Sequence, residues 1–166
     1  MTLTKKVAVL GAFAVGKTSL VQRFVTGIFS DRYLTTIGVK IDRRDVAVDG
    51  RPVSLMVWDL QGEDERHRVR MGHVRGSSGL LLVADGLRAA TVTTALQLAD
   101  EARAVVGDVP CLLLVNKDDR RGDWEVASAQ VDAWRQAGHD VRVTSALTGS
   151  GVAEAFADLA RRMVAP

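Results

Sequence analysis

A chain of 166 residues with 47% hydrophobic and 25% charged residues fits one folded domain, residues 1–166, and excludes a disordered or low-complexity protein. Lys plus Arg number 22 against 20 Asp plus Glu, so the net charge of +2 makes no electrostatic case for a nucleic-acid partner. One cysteine, Cys111, and three scattered histidines exclude a disulfide framework and a Cys/His zinc site, which suits a reducing, cytoplasmic setting.

In chain order, the first predicted element is a strand at Lys6 to Leu10, an apolar run too short for a signal-peptide core or a membrane span. Directly after it comes Gly11-Ala12-Phe13-Ala14-Val15-Gly16-Lys17-Thr18, which satisfies G-x-x-x-x-G-K-[ST] and opens a helix with apolar Leu20, Val21 and Phe24. Strand, loop and helix N-terminus form an anion cradle, because backbone N–H groups converge on phosphate oxygens at no side-chain entropy cost. Lys17 adds a mobile cation for the outer phosphates, and the Thr18 hydroxyl is placed to ligate the Mg²⁺ that bridges them. By itself the loop specifies only a nucleotide phosphate, and kinases and ATPases stay open at this point.

Next, Val39 to Val48 and Val53 to Trp58 are joined by Val48-Asp49-Gly50-Arg51, where Asp-Gly predicts a tight hairpin and hence one antiparallel strand. Arg43, Arg44 and Asp45 on that strand read either as an effector edge or as charges that keep an edge strand from pairing. After the second strand, Arg66, His67, Arg68 and Arg70 read as a solvated helix face, a partner surface, or the source of an arginine acting in cis. Leu80 to Ala84 is a strand, and Val92, Leu96, Ala99 and Val106 recur at helical spacing. Cys111 to Val115 is a strand in which Cys111 is a small core residue and not a nucleophile. Trp124 and Trp134 are expected to flank a helix and to pack against the sheet. A weaker strand, Val141 to Val143, precedes a helix with apolar Val152, Phe156, Leu159 and Met163. Short apolar runs without strict alternation, separated by helical stretches, indicate an α/β fold: a mostly parallel sheet covered on both faces.

The base is read at Asn116-Lys117-Asp118-Asp119, immediately after a strand, which matches N-K-x-D. Guanine presents a ring N–H beside an exocyclic amine, two donors that one carboxylate accepts together, whereas adenine has a lone pair at that ring nitrogen. Asp119 therefore favours guanine. Asn116 can bond the other edge of the base and tie loops together, and the stem of Lys117 can lie along the ring. Thr144-Ser145-Ala146 follows the last strand, and its Ala146 N–H could donate to the guanine carbonyl. These motifs sit at C-terminal strand ends, where open α/β sheets bind ligands.

Together with these, Tyr33-Leu34-Thr35-Thr36-Ile37-Gly38, Trp58-Asp59-Leu60-Gln61-Gly62 and Arg75-Gly76-Ser77-Ser78-Gly79-Leu80 make the chain resemble the Ras-like small GTPases over essentially its whole length, with Rab-like and Arf-like touches. The resemblance implies a three-layer P-loop NTPase fold with a six-stranded, mostly parallel sheet, one antiparallel strand and helices on both faces. It implies a molecular switch that binds GTP or GDP with Mg²⁺ and hydrolyses GTP slowly. The metal ligands it implies are Thr18, Thr36 and, through water, Asp59; Thr36 and the Gly62 N–H would sense the γ-phosphate and Phe29 would pack on the base. It extends the nucleotide contacts to Gly11, Ala14, Val15, Gly16, Lys17, Ser19, Lys117, Ser145, Ala146 and Leu147. The groups it assigns to catalysis are Lys17, Thr36, Gly62 and Glu63.

Three residues depart from the family pattern. Phe13 and Ala14 replace glycines, Phe13 at a position close to the γ-phosphate, and Glu63 replaces the glutamine that orients water. A ring at 13 should crowd the attacking water or an incoming arginine, and Ala14 is tolerable if its backbone is not left-handed. Slow turnover is therefore expected, with a GTP-binding module of negligible hydrolysis as the alternative reading and a small-substrate kinase as a third. Protein effectors and an activating or exchange protein are expected on Tyr33 to Gly38 and Asp59 to Arg75, with a monomer as the free state. No prenylation cysteine or myristoylation glycine is present, so no lipid anchor is expected.

Overall fold

The computed structural model describes residues 2–29, 38–64 and 67–165. Strand β1 (Leu3–Gly11) leads into helix α1 (Lys17–Thr26), then the hairpin β2 (Val39–Val48) and β3 (Arg51–Leu60). A 3₁₀ turn at Met71–Val74 precedes β4 (Gly79–Asp85), α2 (Ala90–Val106) and β5 (Cys111–Asn116). A 3₁₀ stretch, Asp118–Asp123, is followed by α3 (Ser128–Gln136), β6 (Val141–Thr144) and α4 (Val152–Val164). The six strands form one sheet in the order β2-β3-β1-β4-β5-β6, with β2 alone antiparallel to its neighbour.

The hairpin turns as its residues require. Val48 pairs with Arg51, and Asp49 and Gly50 between them have φ of 51° and 77°, the two positive values that suit a tight turn between twisted strands. The other strands read as continuous apolar runs because each faces two cores. Val7, Val9, Leu81, Val83, Leu112 and Leu114 meet α1 and α4 on one side. Ala8, Leu10, Leu80, Leu82, Leu113 and Val115 meet α2 and the surroundings of α3 on the other. On the edge, β2 carries its charges in solvent, with Arg43, Arg44 and Asp45 all exposed.

Helix α4 buries Val152, Phe156, Leu159 and Met163 as its spacing predicts. In α2 the stripe differs from the expected one: Val92, Ala95, Leu98, Ala99 and Ala102 are buried, while Leu96 and Val106 stay half-buried at the margin. Small alanines let that helix approach the sheet closely, and a count of large apolar residues misses them. Trp134 lies within α3 and does not flank it, whereas Trp124 precedes the helix. Residues 67–70 are exposed or half-buried and not helical, which corrects the helix-face reading of that basic run.

All strands but β2 stop at one edge, and the register brings their last residues side by side. Asp85 on β4 is paired with Asn116 on β5, and Asn116 with Thr144 on β6. Val9 on β1 faces Asp59 on β3, and Gly11 faces Val83.

Candidate functional site

The loop after β1 is shaped by what its glycines must avoid. A Cβ on Gly11 would lie 2.4 Å from the Val83 carbonyl oxygen, and one on Gly16 would lie 2.5 Å from Asn116 Nδ2. Gly16 also has φ of 99°, a conformation that glycine adopts without a steric cost. Ala14 takes φ of 62°, so the left-handed conformation against which its tolerance was weighed is the one it adopts, at a cost of roughly 1–2 kcal/mol. Val15 is fully buried and anchors the loop in the core.

Lys17, the first residue of α1, is buried at 6% exposure and its Nζ donates to the carbonyls of Ala12 at 3.1 Å and Gly11 at 3.4 Å. Burial pushes its pKa down to about 8, the Asp59 carboxylate pulling it back up and the Arg88 guanidinium lowering it further. The Thr18 hydroxyl donates to Asp59 Oδ2 at 2.6 Å, which joins the loop helix to the end of β3. Ser19 is half-buried on the same turn.

Gly62 and Glu63 lie directly against the loop. The Phe13 N–H donates to the Glu63 carbonyl at 2.9 Å and the Glu63 N–H to the Gly11 carbonyl at 3.1 Å. A Cβ on Gly62 would be 2.6 Å from Phe13 Cα and 2.9 Å from Lys17 Nζ, so only glycine allows this approach. The Glu63 carboxylate accepts the Val69 N–H at 3.3 Å. Gln61 ties Gly38 to the same segment, accepting the Gly38 N–H at 3.0 Å and donating its own N–H to the Gly38 carbonyl at 2.7 Å. Thr36 and the stretch from Tyr33 to Ile37 fall outside the described residues, as does Arg66.

Asn116, buried at the end of β5, is the joint of the site. Its Nδ2 donates to the Val15 carbonyl at 3.1 Å, and its Oδ1 accepts the Thr144 hydroxyl and the Ala146 N–H, both at 3.3 Å. The Ala146 amide assigned to the guanine carbonyl is thus turned toward Asn116 here. Asp119 is exposed and accepts the Ser145 hydroxyl at 2.7 Å. Leu147 stands 48% exposed beside them. Phe29 is half-buried against the core on the α1 and α4 side.

The sequence reading gave no site role to four supporting residues. Asp85, 1% exposed, accepts Lys117 Nζ at 2.8 Å and Arg88 Nε at 3.2 Å. Arg88 Nη2 also donates to the Phe13 carbonyl at 2.8 Å. The Trp124 indole donates to the Lys117 carbonyl at 2.8 Å and covers Gly86, where a Cβ would fall 2.0 Å from the ring. Arg23 of α1 reaches the carbonyl of Thr148 at 3.1 Å. Only Asp85 left a readable signal, an acidic residue closing an apolar strand at the same edge as Asn116.

No helix among the described residues is long and apolar enough to cross a membrane. The model of the Ras family matches residues 6–165. The chain is 31% identical to the Ras-related protein Rab-21 of Bos taurus over 98% of this chain and 74% of that protein. It is 30% identical to Rab-21 of Dictyostelium discoideum over 96% of this chain and 76% of that one. Identity to human Rab-4A is 32% over 96% of this chain and 74% of the relative. A family match across nearly the whole chain, on a six-stranded sheet whose edge gathers the phosphate and base motifs, places this protein in the Ras family: it is a small GTPase that binds guanine nucleotide and acts as a molecular switch.

Proposed function

We propose that residues 1–166 act as one domain in which the Gly11 to Thr18 loop holds the nucleotide phosphates and Asp119 reads guanine. The observation that carries this is Asn116: one buried amide is bonded to the phosphate loop and to both residues of the Thr144–Ala146 segment it can reach. Phosphate and base sites are thereby held at a fixed spacing, as a nucleotide requires. The N–H groups of residues 14 to 19 face the phosphates, with Lys17 Nζ leaving the loop carbonyls for phosphate oxygens. Lys117 lies along the base, Ser145 orients Asp119 through its 2.7 Å hydrogen bond, and Ala146 and Leu147 close that end of the site. Phe29 and Thr36 complete the nucleotide contacts.

The residues also fit Mg²⁺. The Thr18 hydroxyl and an Asp59 oxygen meet at 2.6 Å, hard-oxygen groups of the kind such an ion takes, Asp59 through water, and Thr36 would add a second hydroxyl. Held there by Thr18, Asp59 and Thr36, Mg²⁺ would supply positive charge to offset that of the phosphates. Hydrolysis is an in-line attack of water on the γ-phosphorus, forming one P–O bond while the bond to the β-phosphate oxygen breaks, giving GDP and phosphate. Lys17 and the Gly62 N–H stabilise charge on the transferring group, and Glu63 can accept a proton from the water. Effectors and regulators read residues 33 to 38 and 59 to 75, whose contacts with the γ-phosphate differ between the two nucleotide states.

Asp119→Asn tests the assignment. It removes the carboxylate that accepts both guanine donors, so GTP affinity should fall by about tenfold or more relative to ATP in competition binding. An unchanged purine preference would refute the reading of Asp119.

A further inference from the structure

Ala14 is held in a left-handed conformation that a Cβ disfavours, and both peptides beside it are braced by cations. Arg88 Nη2 donates to the Phe13 carbonyl at 2.8 Å, and Lys117 Nζ lies 3.4 Å from the Ala14 carbonyl. The two cations stand on one carboxylate oxygen, Asp85 Oδ2, at 3.2 Å and 2.8 Å. That carboxylate is itself fixed, because Asp85 Oδ1 accepts the Leu87 N–H at 2.9 Å and the Asp85 N–H donates to the Thr91 hydroxyl at 2.8 Å. Arg88 approaches from the turn between β4 and α2 with its side chain 47% exposed, outside the loop.

A trans peptide is planar, with its C=O and N–H on opposite sides. Pinning the Phe13 carbonyl toward Arg88 therefore turns the Ala14 N–H to the far side of the loop. We propose that Arg88, seated on Asp85, is a positioning residue of the phosphate site: it keeps the Ala14 N–H aimed at the terminal phosphates of the bound guanine nucleotide. This rests on the reading of Gly11 to Thr18 as the phosphate cradle. A loop with glycine at position 14 would hold the same conformation unaided; alanine does not, and the Asp85–Arg88 pair makes up the difference.

The test is binding of GDP and of GMP, which lacks the β-phosphate, to wild type, Arg88→Ala, Ala14→Gly and the double variant, with GDP release followed by fluorescence. Arg88→Ala should speed GDP release and weaken GDP by about tenfold, the loss of one charge-assisted hydrogen bond. GMP affinity should stay within about twofold of wild type, since the group affected serves the phosphate that GMP lacks. On the Ala14→Gly background the loss of GDP affinity should shrink below about threefold, because glycine takes the left-handed conformation without a brace. An equal loss on both backgrounds, an equal loss for GMP, or no loss overturns the proposal. Asp119→Asn run alongside separates the two readings. If it weakens GDP while Arg88→Ala does not, only the role of Arg88 falls; if neither variant affects GDP, the nucleotide site itself is misassigned.

Discussion

Phe13 stands 38% exposed on the phosphate loop, with Gly62 packed on its Cα and its N–H donating to Glu63. A ring at this position, in place of a glycine, is expected to crowd the water that must approach a γ-phosphate. The Glu63 side chain accepts from Val69 at 3.3 Å, so the carboxylate that could take the proton is engaged away from the loop. Membership of the Ras family supports GTPase activity and disfavours the non-hydrolysing module, so both features are expected to act on the rate alone. Phe13→Gly is therefore expected to raise the single-turnover rate of GTP hydrolysis by about tenfold, or ~1.4 kcal/mol off the barrier. An unchanged or slower rate would mean that the ring does not obstruct the water.

At the scale of elements, the phosphate-loop helix α1 packs on the sheet and against its neighbour α4. The Phe24 and Phe156 rings stack with centroids 3.8 Å apart and planes 2° apart, both rings buried. Phe156→Ala should cost about 3–5 kcal/mol, since it opens a cavity as well as removing the stack, and the stack alone accounts for only about 0.5–1.5 kcal/mol. Urea unfolding with an unchanged slope measures it; a loss under about 1 kcal/mol would show that the core refills the site. Elements with strong local signals were legible: α4 from its apolar period, the hairpin from Asp49-Gly50, the β4 and β5 cores from their unbroken apolar runs. The buried stripe of α2 was not, because alanine carries little hydropathy yet fits where a helix lies close on a sheet. Nor was the place of Trp134 inside α3, a helix with mostly polar residues and one buried side chain.

Across the whole molecule, the site exists only when the fold does, since Asn116 bonds a carbonyl 101 residues earlier in the chain. GDP should therefore stabilise the protein by mass action, with the midpoint of thermal unfolding rising as ligand is added. The sign of its pH dependence follows from Lys17, whose pKa is about 8 in the free protein and is raised by a bound phosphate. Below pH about 8 the ammonium is already formed and the gain from GDP is full; above it, binding must take up a proton and the gain shrinks. The ligand-free protein slopes the other way over that range. Lys17 loses its proton at a lower pH folded than unfolded, so its contribution to stability rises between pH about 8 and 10.5. Melting curves at pH 7 and 9, with and without GDP, check both slopes, and a GDP-induced shift that grows with pH contradicts the assignment of Lys17 to the phosphates.

By itself the sequence determined that this chain carries a phosphate-loop motif, an N-K-x-D motif, a hairpin and a parallel sheet, because each shows as a pattern within a short stretch: glycines and a Lys-Thr pair at set spacing, an Asp-Gly turn, apolar runs of strand length. Only the tertiary structure decided that Ala14 is left-handed, that Asp85 carries both Arg88 and Lys117 against the loop, and that Trp124 covers Gly86 beneath the base-reading turn. Those contacts arise from the register of parallel strands joined by long crossovers, in which Asp85, Asn116 and Thr144 come side by side, and no local spacing encodes that register.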